Sequence, residues 1–225
     1  MKRTYAHGMR IAATVALLAA TSTHASAEIV GGMVTGGSSG GVFELLDPAP
    51  AEAGPDAFES PNLVAFDEVQ DLTLVADLPV GGGRIIPAGS IVSSHYVAFD
   101  PAAGATIQGF VDFDRRILGV IGGAPGLDST SSLFGLPGVT YSVSGAIGPD
   151  GMPGNPGADM FRRTQGMPRR LNVMAAAGSP GDNVRVITGI RIPEPAAATA
   201  IASGLLLLGA VGGGRGFRGG LSRRT

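Results

Sequence analysis

The residues best suited to chemistry lie in one extended segment, Ile91 to Phe99. His95 is the only histidine beyond residue 27, and Ser93, Ser94 and Asp100 lie within five residues of it. Serine, histidine and aspartate can together form a nucleophilic triad. Neighbouring residues on a strand point to opposite faces, however, and neither serine lies in a Gly-x-Ser-x-Gly turn. We therefore predict a hydrogen-bonded structural histidine on an apolar face, and no catalytic residue.

Acidic residues suggest a second kind of chemistry. Asp112 and Asp114 lie two apart and share one side of an extended strand, while Asp150 and Asp159 belong to a loop dense in glycine and proline. Carboxylate oxygens are ligands that Ca²⁺ prefers, although this loop lacks the spacing of an EF-hand. The four aspartates are therefore a hypothetical calcium site, and otherwise no cofactor is expected.

Two other interpretations of these carboxylates stay open. Glu68, Asp112 and Asp114 could hydrolyse a glycoside if a cleft held two of them about 5 to 9 Å apart. They could also be solvated side chains that form salt bridges to Arg115 or Arg116.

Composition excludes several classes of function. The chain has no cysteine, which rules out disulfides and thiolate metal sites, and no phosphate-binding loop or dinucleotide fingerprint is present. Residues 28–192 contain nine arginines and seventeen acidic residues, which gives this part of the chain a formal charge of −8. Nucleic-acid binding needs a basic face, so no nucleic-acid partner is expected.

The elements that must position these residues are short strands. Polar and apolar residues alternate in several runs, and glycine, proline and aspartate separate the runs at near-regular spacing. This pattern predicts an all-β domain over residues 62–191, an antiparallel β-sandwich or jelly roll. The three-residue connection Asp114–Arg116 predicts a hairpin between the runs 107–113 and 117–121. No segment shows sustained helical periodicity, although 162–170 could hold one helical turn.

Residues 28–61 predict a different kind of structure. They are rich in glycine and proline, are acidic, and contain Gly-Ser-Ser-Gly-Gly at residues 37–41. This composition is typical of a flexible linker.

The N-terminus has the three parts of a secretory signal. Basic residues are followed by an apolar run from Ile11 to Ala20 and then by Ala25-Ser26-Ala27. This order predicts a signal peptide over 1–27, cut by signal peptidase after Ala27.

The C-terminus has the features of a membrane anchor. Pro193-Glu194-Pro195 precede an apolar run from Ala196 to Val211, and four arginines follow. The run predicts a transmembrane helix over 196–211, short against the usual length of about 20 residues. Arginines beyond it would stay in the cytoplasm, so the middle of the chain would lie outside.

This tail, residues 192–225, resembles the PEP-CTERM sorting domain of Gram-negative bacteria. The resemblance implies that Pro193, Glu194 and Pro195 are recognised by an exosortase in the inner membrane, in a setting tied to exopolysaccharide export. The glycines at 212–214 depart from the family pattern by separating the apolar run from the arginines.

The middle region also resembles that of uncharacterised PEP-CTERM proteins, through segments such as Ala88–Pro101 and Pro180–Thr188. We expect an exported, non-enzymatic protein of the cell surface or extracellular matrix, associated with extracellular polysaccharide. A calcium-assisted glycan-binding module and a polysaccharide-active hydrolase are the alternatives.

Overall fold

A computed structural model of the chain describes residues 28–142 and 159–190. These residues form fourteen strands and one helix. In chain order they are β1 (Ile29–Gly37), β2 (Phe43–Leu45), β3 (Glu52–Ala53), β4 (Ser60–Asp67), β5 (Leu72–Thr73), β6 (Leu78–Val80), β7 (Arg84–Ile86), β8 (Ile91–Asp100), β9 (Ala105–Phe113), β10 (Ile117–Gly122), α1 (Ala124–Phe134), β11 (Thr140–Tyr141), β12 (Met160–Arg163), β13 (Arg170–Ala177) and β14 (Asp182–Ile190).

Two larger sheets organise these strands. The outer sheet has the order β1-β9-β13-β12, and the central sheet has the order β10-β14-β8-β4-β2, with β5 paired to one end of β8. The smaller pairs are the β6–β7 hairpin and β3 with β11. Pairing is antiparallel except between β2 and β4 and between β3 and β11. The all-β prediction is confirmed, with mixed rather than purely antiparallel pairing.

The central sheet is buried on both faces. Its inner face meets the outer sheet in a core to which Val97 and Phe99 of β8 contribute. Tyr96 and Ala98 point the other way and pack with Leu127 of α1. A covering layer, made of α1, the β6–β7 hairpin and nearby loops, therefore shields the second face, and both faces of β8 are apolar except for the polar residues described below.

The segment predicted to be a flexible linker instead belongs to the fold. β1 lies along β9, with Ile29 opposite Phe113 and Gly37 opposite Ile107. Glycine serves close packing here: a Cβ on Gly32 would lie 2.5 Å from the Phe43 ring. Glycine-rich composition therefore reflects tight contacts between backbones and rings as well as flexibility.

The predicted hairpin between 107–113 and 117–121 is also corrected. Both runs are strands, but β9 belongs to the outer sheet and β10 to the central sheet. Residues 114–116 carry the chain from one sheet to the other. A three-residue connection excludes a crossover helix, yet it does not require the two strands to share a sheet.

The helix α1 has only a weak sequence signal. Its buried side chains are Leu127, Thr130 and Phe134, while serine and threonine occupy much of the remainder. The Thr130 Oγ1 donates to the Gly126 carbonyl, a local bond that gives such residues low helix propensity. Packing against the central sheet compensates. The helical turn considered for 162–170 is instead the end of β12, turns, and the start of β13.

Several predictions fall outside the described residues: the signal peptide, the sorting tail with its 196–211 helix, and Asp150. Within the described part, no helix combines the length and apolar character needed to span a bilayer.

Candidate functional site

A carboxylate, an imidazole and a hydroxyl form a chain on the inner face of the central sheet. The Asp67 Oδ1 lies 2.5 Å from the His95 Nδ1, and the His95 Nε2 lies 2.8 Å from the Thr188 Oγ1. Asp67 lies opposite His95 in the β4–β8 register, and Thr188 lies on β14 two residues beyond Val186, the residue opposite His95. These three residues, the inner cluster, have the connectivity of a nucleophilic triad.

The side chains of the inner cluster are largely buried. His95 and Thr188 have no solvent exposure, and only the Asp67 side chain, 32% exposed, reaches the surface. The imidazole packs against the Phe113 ring, with centroids 4.8 Å apart. One ring nitrogen contacts Asp67 and the other contacts Thr188, so both nitrogens have a hydrogen-bond partner. The hydrogen bonds and apolar surroundings expected of His95 are present, and its purely structural role stays a prediction.

A second polar cluster lies on the opposite face of the same sheet. The Arg185 guanidinium donates to both Glu68 oxygens, from Nε to Oε2 at 2.7 Å and from Nη2 to Oε1 at 2.8 Å. Neither side chain has any exposure. The Ser94 hydroxyl donates to the same carboxylate at 2.5 Å. Ser94 and His95 therefore serve opposite faces, as the strand period predicts.

Arg185 also holds α1 in place. Its Nη1 donates to the Leu127 carbonyl at 3.2 Å and to the Thr130 Oγ1 at 2.6 Å. We call Glu68, Ser94, Arg185 and Thr130 the outer cluster. It satisfies two buried charges with hydrogen bonds and links the covering layer to the sheet.

The two tyrosines of the described residues line the outer cluster. Burial, reinforced by the Glu68 charge, raises the pKa of both Tyr96 and Tyr141 well above the ordinary tyrosine value. Both phenols therefore stay neutral across the physiological range.

The three described aspartates predicted to bind calcium each have a protein hydrogen-bond partner. Asp112 accepts two hydrogen bonds from Arg170, at 2.7 and 2.6 Å, and Asp114 accepts from the Glu28 backbone N–H at 2.9 Å. Asp159 is buried and accepts from the Ala176 N–H at 2.6 Å.

Strand register separates these aspartates along the outer sheet. Arg170, opposite Asp112, and Ala176, beside Asp159, lie six residues apart on β13, roughly 20 Å at the usual rise per residue. In the described residues, no three acidic or histidine side chains are grouped closely enough to hold a metal. Calcium binding stays a prediction, and the described members Asp112, Asp114 and Asp159 do not form a metal-binding group among the described residues.

The carboxylates considered for glycoside hydrolysis also diverge. Glu68 is enclosed beneath α1, Asp112 lies on the open face of the outer sheet, and Asp114 lies just beyond the end of β9. Among the described residues, Asp112 pairs with Arg170 and Arg115 pairs with Asp71.

Arg185 is not among the residues predicted from the sequence, although a signal for it was present. Asn183 to Thr188 is a strand with apolar residues on both sides of one arginine. A charge at the centre of such a strand requires a buried partner of opposite sign. Glu68 next to Asp67, at the end of another apolar strand, was the available candidate.

Comparisons of this chain with protein-family models, with curated proteins and with solved structures found no match.

Proposed function

We propose that this chain is the precursor of an exported, non-enzymatic protein of the cell surface or extracellular matrix. Its β-sandwich domain associates with extracellular polysaccharide, after signal peptidase acts at Ala27 and an exosortase acts at the Pro193-Glu194-Pro195 signature. The tail is a transient inner-membrane anchor in this scheme.

One observation supports the proposal: every described strand lies between the two expected processing points. Glu28, the first residue after the expected cut, already belongs to the fold, because its N–H donates to Asp114 and its carbonyl accepts from the Asp114 N–H. At the other end, β14 ends at Ile190, three residues before Pro193. Both cuts would leave every described strand intact.

The polar clusters support the non-enzymatic part of the proposal. His95, Glu68 and Asp112, the side chains best suited to catalysis, are each engaged by a protein partner. Their hydrogen bonds connect strands to one another or to α1, which is a structural role.

Mass spectrometry of the protein produced in a Gram-negative host that has an exosortase tests the proposal. The expected product begins at Glu28 and ends near the Pro-Glu-Pro signature. The same host without its exosortase is the control, and there the tail should stay attached. An uncut chain dissolved in the cytosol would contradict the proposal.

Alanine at Pro193, Glu194 and Pro195 separates recognition of the signature from simple anchoring. This triple variant should keep the Glu28 N-terminus and retain the tail. If its tail were removed as efficiently as before, the signature would have no part in sorting.

A further inference from the structure

A basic cleft lies between the outer sheet and the covering layer. Its volume is about 500 Å³, within the range of about 300 to 1,000 Å³ typical of ligand sites. β12 supplies Arg162 and Arg163, and Arg84 is the first residue of β7. All three arginines are exposed.

These three guanidinium groups have no opposing charge nearby. Among the residues that the structure describes, none of the three forms an ion pair, and no carboxylate lines the cleft. Arg84 Nε donates to the Gly81 carbonyl at 3.4 Å, and Arg163 Nη1 to the Ile117 carbonyl at 3.5 Å. A guanidinium carries five N–H donors, so these contacts leave donors for a ligand.

The backbone adds to the positive potential. Gly122 and Gly123 line the cleft where α1 begins, and no side chain caps that helix end. Its first turn contains no acidic residue. The positive end of the helix dipole therefore reinforces the arginines.

A second basic cavity provides a comparison within the same domain. It is lined by Arg115, Arg116 and Arg169, but Asp114 also lines it, and Arg115 is paired with Asp71. Its positive charge is partly neutralised. The cleft of Arg84, Arg162 and Arg163 is therefore the stronger candidate for binding an anion.

We propose that this cleft binds the carboxylate groups of an acidic polysaccharide, one built from uronic acid units. The planar fork of arginine matches a carboxylate with two parallel hydrogen bonds. The cleft has room for more than a single small anion. This inference rests on the proposed function, which places the protein next to extracellular polysaccharide. It adds that the bound polysaccharide is an acidic one, although the domain as a whole is acidic.

Binding of polygalacturonate to protein purified from the producing cells tests the inference, with calorimetry as the measurement. Neutral dextran and single-stranded DNA are the comparison polymers. We expect binding to polygalacturonate that weakens as salt is added, no binding to dextran, and weaker binding to DNA. Equal affinity for DNA would reduce the effect to nonspecific charge attraction and overturn the proposal, as would the absence of binding to polygalacturonate.

A matched pair of variants locates the site. Arg162→Ala with Arg163→Ala should weaken binding about tenfold or more, since each removes charge-assisted hydrogen bonds. Arg116→Ala with Arg169→Ala removes the same charge elsewhere and should change the affinity less than about threefold by the same arithmetic. An equal loss of affinity in both double variants would contradict binding at this cleft.

Folding is checked by the melting temperature, which should be nearly unchanged because all four arginines are exposed. The binding result does not depend on whether the protein is sorted as proposed. Binding by a protein that is never exported would refute the proposed location and leave the cleft standing, whereas export without binding would refute the cleft alone.

Discussion

The inner and outer clusters lie back to back on the central sheet, and they differ in what they connect. Asp67 and Glu68 are adjacent on the chain, yet one binds His95 on the inner face and the other binds Arg185 on the outer face. The inner cluster joins strands that are already paired. The outer cluster joins the sheet to α1 through two fully buried charges. Polar groups on one face thus reinforce the sheet, whereas those on the other specify where the covering layer docks.

Replacing Arg185 by methionine should have the largest effect. The change leaves the Glu68 carboxylate buried without its partner and removes the hydrogen bonds to α1. We expect the free energy of unfolding to fall by about 3 to 5 kcal/mol, measured by urea denaturation.

Two further variants control this experiment. Arg170→Met breaks a partly exposed pair and should cost much less. Adding Glu68→Gln to Arg185→Met should recover part of the loss, because the unpaired charge disappears. A loss for Arg185→Met no larger than that for Arg170→Met would show that the two clusters do not differ as described.

Thr188→Val probes the inner cluster and should have an intermediate effect. Valine keeps the shape but leaves the buried His95 Nε2 without a hydrogen-bond partner. The expected loss of stability is about 1 to 3 kcal/mol. Thr140→Val, at an exposed position, is the control and should be nearly neutral. An equal, small cost at both positions would indicate that the inner cluster contributes little.

Alkaline titration tests the burial of the outer cluster. Burial raises the pKa of Tyr96 and Tyr141, so the folded protein keeps their protons above pH 10, where an unfolded chain begins to lose them. Stability is therefore unaffected at neutral pH and falls as the pH rises beyond about 10. Tyr96→Phe should make this decline shallower. Phenol absorbance that titrates at the ordinary tyrosine pKa would contradict the burial.

The smallest expected effect concerns the new N-terminus. After cleavage at Ala27, the Glu28 ammonium would lie beside Asp114, where the precursor has only an amide N–H. A double-mutant cycle that combines Asp114→Asn with N-terminal acetylation of the mature protein should give a coupling of about 0.2 to 1 kcal/mol. Zero coupling would show that processing adds no ion pair.

Local alternation was enough to predict β8, β9 and β10 and the orientation of His95. The period of two places His95, Val97 and Phe99 on one face whatever the partner strands are, and the structure buries that face in the main core. The predicted face of His95 follows from this local geometry alone, and it agrees with the structure.

Predictions that depended on partners distant along the chain disagree with the structure. β1 has almost no alternation of its own, because glycines occupy several of its positions, and its structure is set by β9. The assignment of β9 and β10 to different sheets likewise follows from β13 and β14. Nothing within these segments encodes the choice of partner. The basic cleft was missed for the same reason, since Arg84 lies far along the chain from Arg162 and Arg163.

The pairing of the first described strand with β9 has a consequence for the order of folding. Ile29 of β1 pairs with Phe113 of β9. β9 also pairs with β13, where Leu171 lies opposite Val111. Contacts so distant along the chain form slowly. If the chain is exported with its N-terminus first, as proposed, its outer sheet could therefore close only after β13 had emerged.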